Sequence, residues 1–464
     1  MKSELLLQLQ PHDQEHVLTF WDELSSDAQA MLAEQIRTVD LSLLKRLWRN
    51  EAGAIDWKAL ATRAEAPHAI RLDAQKNATT QEAARIEGET ALRAGRVGVI
   101  IVAGGQGTRL GFPRPKGMFP IGPVSGATLF QMLFEKIIAV GRKYGVRVPL
   151  YLMTSPATHE ETLDFLDVNS RFGLLAEDLH VFCQGTMPAV EIASGKLLLA
   201  EKGELSLSPD GHGGTLAGLA KSGGLDDIRL RGVEQLFYIQ VDNPLSPVCD
   251  PEYIGHHRLA ESELTTLVVA KHAPLDKVGN FVSIDGAARI IEYSDLPAAV
   301  AEQFSTRDGS LKLWAGNTAM HVFDAAFLER MSGDAESLPF HLARKKVPFV
   351  NAEGKMIEVA EPNAIKFERF IFDLLPAAKN PLAIEVEDRL AFMPVKNAPG
   401  EKRDTPESAR AALVALHRSW LKSAGAIMAD NVLVEISPLF ANSAEECRDK
   451  IAPGLRVDQP MYLV

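Results

Sequence analysis

Residues 97–117, VGVIIVAGGQGTRLGFPRPKG, decide how this chain is read. The opening VGVIIVAG is a short β-branched run bounded by glycine, the pattern of a strand buried on both faces. The next dozen residues hold Gly104, Gly105, Gly107 and Gly111 with Arg109 and Lys116 between and after them. Then TLFQMLFEKIIAVGRK, residues 128–143, carries apolar residues at helical spacing and basic residues near its end. Strand, glycine-rich loop and amphipathic helix in succession make one βα unit, and a core α/β domain begins here.

The loop's chemistry follows from its composition. Closely spaced glycines let the backbone turn tightly and aim several N–H groups at one anion, and Arg109 and Lys116 add full positive charge. This is a polyphosphate cradle. It is not a Walker A loop, because Lys116 lies between Pro115 and Gly117 where that motif needs GK[ST]. A dinucleotide GxGxxG also fails: after Gly105 and Gly107 the third glycine position is Leu110, and the region about twenty residues on is a lysine-bearing helix end rather than an acidic ribose ligand.

Outward from the loop, residues 1–95 are rich in Leu, Ala, Glu, Gln and Arg and read as a helical N-terminal region. Strand-like runs recur at PLYLMTS, HVFCQ, QLFYIQVDN, LTTLVVA and KVPFVN, with helical stretches between the earlier ones. That alternation predicts a Rossmann-like, mostly parallel central sheet across 96–395. Beyond it, PESARAALVALHRSWLKSAG and the mixed residues that follow read as a small C-terminal module, 396–464. The chain of 464 residues carries 49 Lys plus Arg against 61 Asp plus Glu, a net charge of −12, which argues against nucleic acid and leaves room for a small anionic ligand met by a few local cations. Three scattered cysteines offer neither a disulfide framework nor a zinc pattern, and a reducing cytoplasm is expected. The N-terminus does not read as a signal peptide and no apolar run approaches membrane-spanning length, so no membrane is expected. The oligomeric state is not legible.

AGGQGTRLG followed by PKGM resembles the signature loop of the UDP-sugar pyrophosphorylases, the UTP–glucose-1-phosphate uridylyltransferase family, and in particular its UDP-N-acetylglucosamine pyrophosphorylase branch. Further segments come in the family's order: MTS (153–155), QGTMPA (184–189), PDGHGG (209–214), VDN (241–243), EYSD (292–295), AGNTAMHVF (315–323), IKFERFIFD (365–373) and PVKNA (394–398). Together they span about residues 95–400. The resemblance implies the nucleotide-diphospho-sugar transferase fold, UTP and a hexose 1-phosphate as substrates, and Mg²⁺ as cofactor. It implies that the backbone at Gly104, Gly105, Gly107 and Thr108, with Arg109 and Lys116, holds the departing phosphates. Asp242 would be the metal carboxylate, at a strand end where open α/β sheets place ligands. Lys396 would supply a second cation, and Lys366, on what reads as a helix, is a further candidate. Gln184 and the backbone around Gly211 resemble uracil readers, and Glu292 and Asn317 resemble residues facing the hexose hydroxyls.

Two departures bear on the sugar. His212 stands where the N-acetylglucosamine branch has asparagine, and Met320 stands where that branch commonly has a second asparagine. Both fall where an acetamido group could be read, which leaves N-acetylhexosamine and glucose 1-phosphates open. A catalytically silent UDP-sugar sensor is the alternative, weighed against the retention of Arg109, Lys116, Asp242 and Lys396. The pair His256–His257 is expected to point apart rather than share a metal. Arg344–Lys346 reads as a solvated basic run without the interleaved aromatics of a nucleic-acid surface.

Overall fold

The protein is described by a computed structural model covering residues 1–49, 56–73, 77–306, 309–334 and 337–464. Contacts gather the chain into two compact units that are interleaved along the sequence, rather than following the linear division at 95 and 395. One comprises residues 1–56, 184–217 and 336–371, the other residues 57–183, 218–335 and 372–464.

The larger unit is built on a ten-stranded sheet: β1 (Ala69–Ile70), β2 (Val97–Val102), β3 (Leu150–Thr154), β4 (Leu179–Cys183), β5 (Gln235–Gln240), β6 (Leu264–Ala270), β7 (Asn280–Ile284), β8 (Ala287–Ile291), β9 (Ala315–Asp324) and β10 (Leu382–Glu385). The order is β1-β10-β6-β9-β5-β2-β3-β4, with the hairpin β7–β8 attached through β7 to β9. Pairing is parallel except along β9, which runs antiparallel to both β5 and β6, and in the β7–β8 hairpin. Every residue of β2 is buried, as its apolar run requires of a strand covered on both faces. Because β9 runs against its neighbours, its first residues lie at the end of the sheet where the parallel strands terminate, beside the outgoing ends of β6 and β10.

Helices α1 (Gln81–Arg93), α2 (Leu129–Tyr144), α3 (Pro251–Leu259) and α4 (Pro406–Ser423) belong to this unit. The start of α2 is fixed by Thr128, whose hydroxyl accepts the Gln131 N–H, and its end by Gly145 in the left-handed conformation. Helices α1 and α3 cross at Gly88 and Gly255, where a Cβ would stand 1.8 Å from the Pro251 carbonyl and 1.7 Å from that of Ala84. Only glycine permits backbones to meet so closely.

Two sequence expectations are refined here. The N-terminal region is helical as read, but it divides: Lys2–Leu9, Ser26–Thr38 and Leu41–Trp48 belong to the smaller unit, whereas α1 and the two-residue strand β1 belong to the larger. The C-terminal stretch has its own small core around Val434, Ile436 and Cys447, yet Ala409 and Leu413 of α4 are part of the main core.

The smaller unit packs those three helices against short strands. Its core includes Leu5, Leu9, Leu32, Leu44, Val190, Leu205 and Phe367, and its three-stranded sheet joins His341–Lys345, Ala364–Glu368 and Val190–Glu191. KVPFVN contributes Phe349–Val350 to a two-stranded ribbon here and is not part of the central sheet.

Candidate active site

The glycine-rich loop leaves β2 and folds back as a hairpin. The Gly107 N–H donates to the Arg114 carbonyl at 2.9 Å and the Lys116 N–H to the Gly105 carbonyl at 3.0 Å. The mouth is braced by Ser155, whose hydroxyl donates to the Gly104 carbonyl at 2.7 Å. A Cβ at Gly107 would stand 2.7 Å from the Phe112 carbonyl, and one at Gly117 would enter the Phe130 ring, so both glycines are required by closeness of approach. The expected donor set is thereby corrected at one position: the Gly107 N–H is turned inward. Among the described residues no protein acceptor meets the N–H groups of Gly105, Gln106 or Thr108. Arg109 is exposed and, among the described residues, makes no ion pair.

The same hairpin delivers Lys116 to the end of β5. Its Nζ lies 3.2 Å from Oδ2 of Asp242, and both side chains are largely shielded from solvent, at 18% and 10% relative exposure. A cation and a carboxylate therefore meet where the parallel strands end, beside a loop presenting backbone donors.

Lys396 reaches this region through backbone bonds. The Val395 N–H donates to the Asp242 carbonyl at 2.8 Å. The side chain of Asn243 accepts from the Met393 N–H at 3.0 Å and donates to the Ala391 carbonyl at 2.8 Å. On the other side, the Asp404 carbonyl accepts from the N–H groups of both Lys396 and Asn397, at 2.7 and 2.9 Å. Burial raises the Asp404 carboxyl above its ordinary range, opposed by the charge of Lys396 and reinforced by that of Asp242. Lys396 itself is exposed, its ammonium 5.8 Å from the Phe392 ring centroid. Asn243 and Asp404 hold the segment that bears Lys396, a part that the sequence reading assigned to neither of them. VDN did flag Asn243 by place, but a side-chain bond 148 residues downstream leaves no local trace.

Glu292 and Asn317 are brought together across Gly279. A Cβ there would lie 3.0 Å from Oε1 of Glu292 and 3.7 Å from Cβ of Asn317, and the Asn317 N–H donates to the Gly279 carbonyl at 2.7 Å. Asn317 is placed by a bulge in β9: the register with β6 jumps from Leu267↔Met320 to Val268↔Asn317, leaving Thr318 and Ala319 extra. Oδ1 of Asn317 accepts the Ala319 N–H at 2.9 Å, and Ala319 takes the left-handed conformation with φ 58°. Met320 is 1% exposed in the main core, with its sulfur 3.7 Å from Nδ2 of Asn243. It is a packing residue, contrary to the expectation that it could face a sugar substituent.

Gln184, Gly211, His212 and Lys366 all belong to the smaller unit. Gln184 is buried. Gly211 adopts φ +85° within 2.4 Å of where the Arg369 carbonyl would meet a Cβ, so PDGHGG is held against residues 369–371. The bonds Arg369 N–H to Asp210 carbonyl, 2.7 Å, and Gly213 N–H to Arg369 carbonyl, 2.8 Å, make that contact. His212 accepts the Ile371 N–H on Nδ1 at 3.2 Å and stacks on Phe370 at 5.2 Å between ring centroids. Its ring thus organises this unit's own turn. Lys366 lies on the strand Ala364–Glu368, not on a helix: the central position of that segment between two antiparallel partners overrides its ambiguous spacing.

His256 and His257 part as expected, toward Thr79 and Thr265 respectively. Among the described residues no three His, Cys, Asp or Glu side chains converge as a metal cage, and no helix is long and apolar enough to cross a membrane.

A mostly parallel sheet whose strand ends carry a glycine-rich loop, a lysine–aspartate pair and a polar cluster at Glu292 and Asn317 has the architecture of the nucleotide-diphospho-sugar transferases. Comparison with known proteins agrees. The family model described as UTP–glucose-1-phosphate uridylyltransferase matches residues 42–439. The chain is 34% identical over 476 residues to the human UDP-N-acetylhexosamine pyrophosphorylase-like protein 1, covering 96% of this chain and 94% of the relative. It is 38% identical over 367 residues to the UDP-N-acetylglucosamine pyrophosphorylase of Saccharomyces cerevisiae, covering 77% and 76%. The crystal structure of the uridine diphosphate N-acetylglucosamine pyrophosphorylase from Trypanosoma brucei superposes with a TM-score of 0.83 at 26% identity, covering 99% of this chain and 98% of that one. The chain belongs to the UTP–glucose-1-phosphate uridylyltransferase family, and with it to the UTP-dependent sugar-1-phosphate nucleotidyltransferases.

Proposed function

We propose that this enzyme makes a UDP-N-acetylhexosamine and pyrophosphate from UTP and an N-acetylhexosamine 1-phosphate. A phosphate oxygen of the sugar 1-phosphate attacks the α-phosphorus of UTP in line. The new P–O bond forms as the bond to the β-phosphate oxygen breaks, and pyrophosphate leaves. Such a reaction concentrates negative charge in a small volume, so catalysis rests on positioning and charge neutralisation.

The observation that carries the reading is the Lys116–Asp242 pair at the mouth of the glycine-rich loop. The N–H groups of Gly105 and Thr108, together with Arg109 and Lys116, would hold the β- and γ-phosphates. Lys396 would meet the charge developing at the α-phosphate. Gln184 and the Gly211 backbone remain candidates for the uracil edge, Glu292 and Asn317 for the hexose hydroxyls, and Lys366 as an additional cation.

The donor set fits Mg²⁺ in one particular way. Among the described residues no three-ligand cage forms at Asp242, and the other acid that feels its charge is Asp404, a donor set that would suit an ion keeping several waters. Bound so, Mg²⁺ would neutralise phosphate charge; among this chain's own residues, Asp242 would hold it and Lys116 would turn to the phosphates.

Sugar preference is supported by the names of the relatives and by the roles of the two departures. Met320 is core and His212 braces its own turn, so neither argues against an acetamido group. Three free cysteines are consistent with a reducing, cytoplasmic setting.

The test is pyrophosphate release from UTP and Mg²⁺ with the 1-phosphates of N-acetylglucosamine, N-acetylgalactosamine, glucose and galactose. An N-acetylhexosamine is expected to exceed both plain hexoses by at least about tenfold in kcat/KM. A preference for glucose would overturn the sugar assignment, and tight UDP-sugar binding without pyrophosphate exchange would make the protein a sensor.

A further inference from the structure

Behind Asp242 the chain makes a tight turn, Asn243–Val248, and that turn is closed on itself. The Ser246 hydroxyl donates to the Asn243 carbonyl at 2.9 Å, the Ser246 N–H to the same carbonyl at 3.2 Å, and the Val248 N–H to the Ser246 carbonyl at 2.9 Å. Two carbonyls of the turn, those of Pro244 and Ser246, converge on one group, the ammonium of Lys136 on α2, at 2.7 and 2.9 Å.

This lysine is unusual in its surroundings. Part of the residue's surface is accessible, but the ammonium is enclosed, and burial pushes its pKa down to about 7. Among the described residues it makes no ion pair. His417, from α4, feels its charge and is held well below the usual histidine range, first by its own burial and then by Lys136. An enclosed cation without a carboxylate is costly to keep, and its compensation here is the pair of turn carbonyls. The two carbonyls it satisfies belong to the turn and not to α2, so the stability of α2 alone does not account for a lysine.

The turn it grips leads directly to the site. The Asn243 carbonyl is the point on which Ser246 closes, and the Asn243 side chain holds Ala391 and Met393. The Asp242 carbonyl receives Val395, next to Lys396. One set of bonds therefore runs from Lys136 through the turn to Asp242, whose carboxylate faces Lys116, and to the segment bearing Lys396.

We propose that Lys136 is a positioning residue for uridylyl transfer: it braces the turn behind Asp242, and through it fixes the carboxylate opposite Lys116 and the approach of Lys396. It touches neither substrate nor metal. The inference rests on the transferase reading for its kinetic consequence and on geometry alone for its structural one.

The experiment uses the full-length enzyme with Lys136→Met, which keeps the length and loses both donors, Lys136→Arg, which keeps charge and donors, and Arg142→Met, an exposed change on the same helix, as control. For Lys136→Met, kcat is expected to fall on the order of 10- to 100-fold per folded molecule, with KM for UTP and for the sugar phosphate moving less than about threefold. Lys136→Arg is expected to recover part of kcat, and Arg142→Met to match the parent. A crystal structure of Lys136→Met reads the same proposal without turnover, and the Asp242 carboxylate is expected to leave its 3.2 Å contact with Lys116. An unchanged kcat in folded Lys136→Met, or an unmoved turn and Asp242, overturns the inference. Should the parent itself release no pyrophosphate, the transferase reading fails and the crystal structure still decides the brace. If Lys136→Met does not fold, Lys136→Gln, which removes the charge and shortens the side chain while its amide keeps two N–H donors, takes its place with a smaller fall in kcat expected, and an unchanged kcat there likewise overturns the inference.

Discussion

The side-chain amide of Asn243 donates to the Ala391 carbonyl and its oxygen accepts from the Met393 N–H, so one buried residue at the end of β5 fixes the segment that carries Lys396. Replacing it by leucine leaves a carbonyl and an N–H buried without partners, each costing about 1–3 kcal/mol. Asn243→Leu is therefore expected to lower unfolding stability by roughly 2–4 kcal/mol. It should also reduce kcat more than it raises KM, because Lys396 loses its mooring. Urea unfolding and steady-state kinetics on the same preparation check both halves.

Lys116 and Asp242 make a different prediction, because each is the other's partner in the free enzyme. Lys116→Met removes the charge proposed to meet the phosphates and takes the partner of Asp242 away, whereas Asp242→Asn keeps the shape and removes the charge proposed to hold Mg²⁺. Either change is expected to reduce turnover by at least about 100-fold, the scale seen when a preorganised charge is taken from a transferring group. Asp242→Asn should in addition require far more Mg²⁺ for half-maximal rate. A Mg²⁺ dependence identical to the parent's would remove Asp242 from the metal site. Circular dichroism should be unchanged in both variants.

What the sequence disclosed and what it withheld divide by range. Val97–Val102 and Gly104–Gly117 were legible because a buried strand and a tight glycine-rich hairpin impose local composition. Asp242 was legible as the end of a strand. The bulge that turns Asn317 toward Glu292 was not, because it is an irregularity in pairing with β6 rather than a pattern along β9. Asp404 gave no signal because its role lies in a carbonyl eight residues beyond Lys396. Ala69–Ile70 is too short for any periodicity, and KFERF has a spacing that a strand and a helix share, so only tertiary pairing decides each. The interleaving of the two units escaped for the same reason: contacts between residues 190 and 365 leave no mark on either neighbourhood.

Stability should depend on pH through two buried histidines. Burial, with Arg258 beside one and Lys136 beside the other, lowers the pKa of His257 and His417 to about 3. The unfolded chain takes up a proton at each near pH 6.5, and the folded chain does so only near 3. Stability is thus full above about 6.5 and is lost as pH falls between 6.5 and 3, at up to about 1.4 kcal/mol per pH unit for each residue. Unfolding free energies measured at pH 7.5, 6.0 and 5.0 should show that slope. His417→Gln, which keeps an acceptor for the Ile436 N–H, should reduce it; an identical slope would remove His417 as a source.

Met320 and Asn317 are three residues apart on β9, and the bulge sends them to different places: Met320 into the core beside Asn243, and Asn317 to the edge of Gly279 near Glu292. Exchange at the first should be a matter of stability and at the second a matter of substrate. Met320→Leu conserves volume and is expected to cost less than about 1.5 kcal/mol. Met320→Asn buries an amide and empties space, and should cost on the order of 2–4 kcal/mol while leaving the ratio of rates with N-acetylhexosamine and hexose 1-phosphates where it was. Asn317→Asp keeps the oxygen that accepts the Ala319 N–H, so the bulge survives, but it loses the amide donor proposed to meet a hexose hydroxyl. One unmade hydrogen bond of about 1–3 kcal/mol corresponds to roughly 5- to 150-fold in binding. KM for the sugar 1-phosphate should rise within that range, with KM for UTP moving by less than about twofold. A Met320→Asn enzyme with reversed sugar preference, or an Asn317→Asp enzyme with unaltered KM for the sugar phosphate, would require the sugar pocket to be placed elsewhere on the sheet.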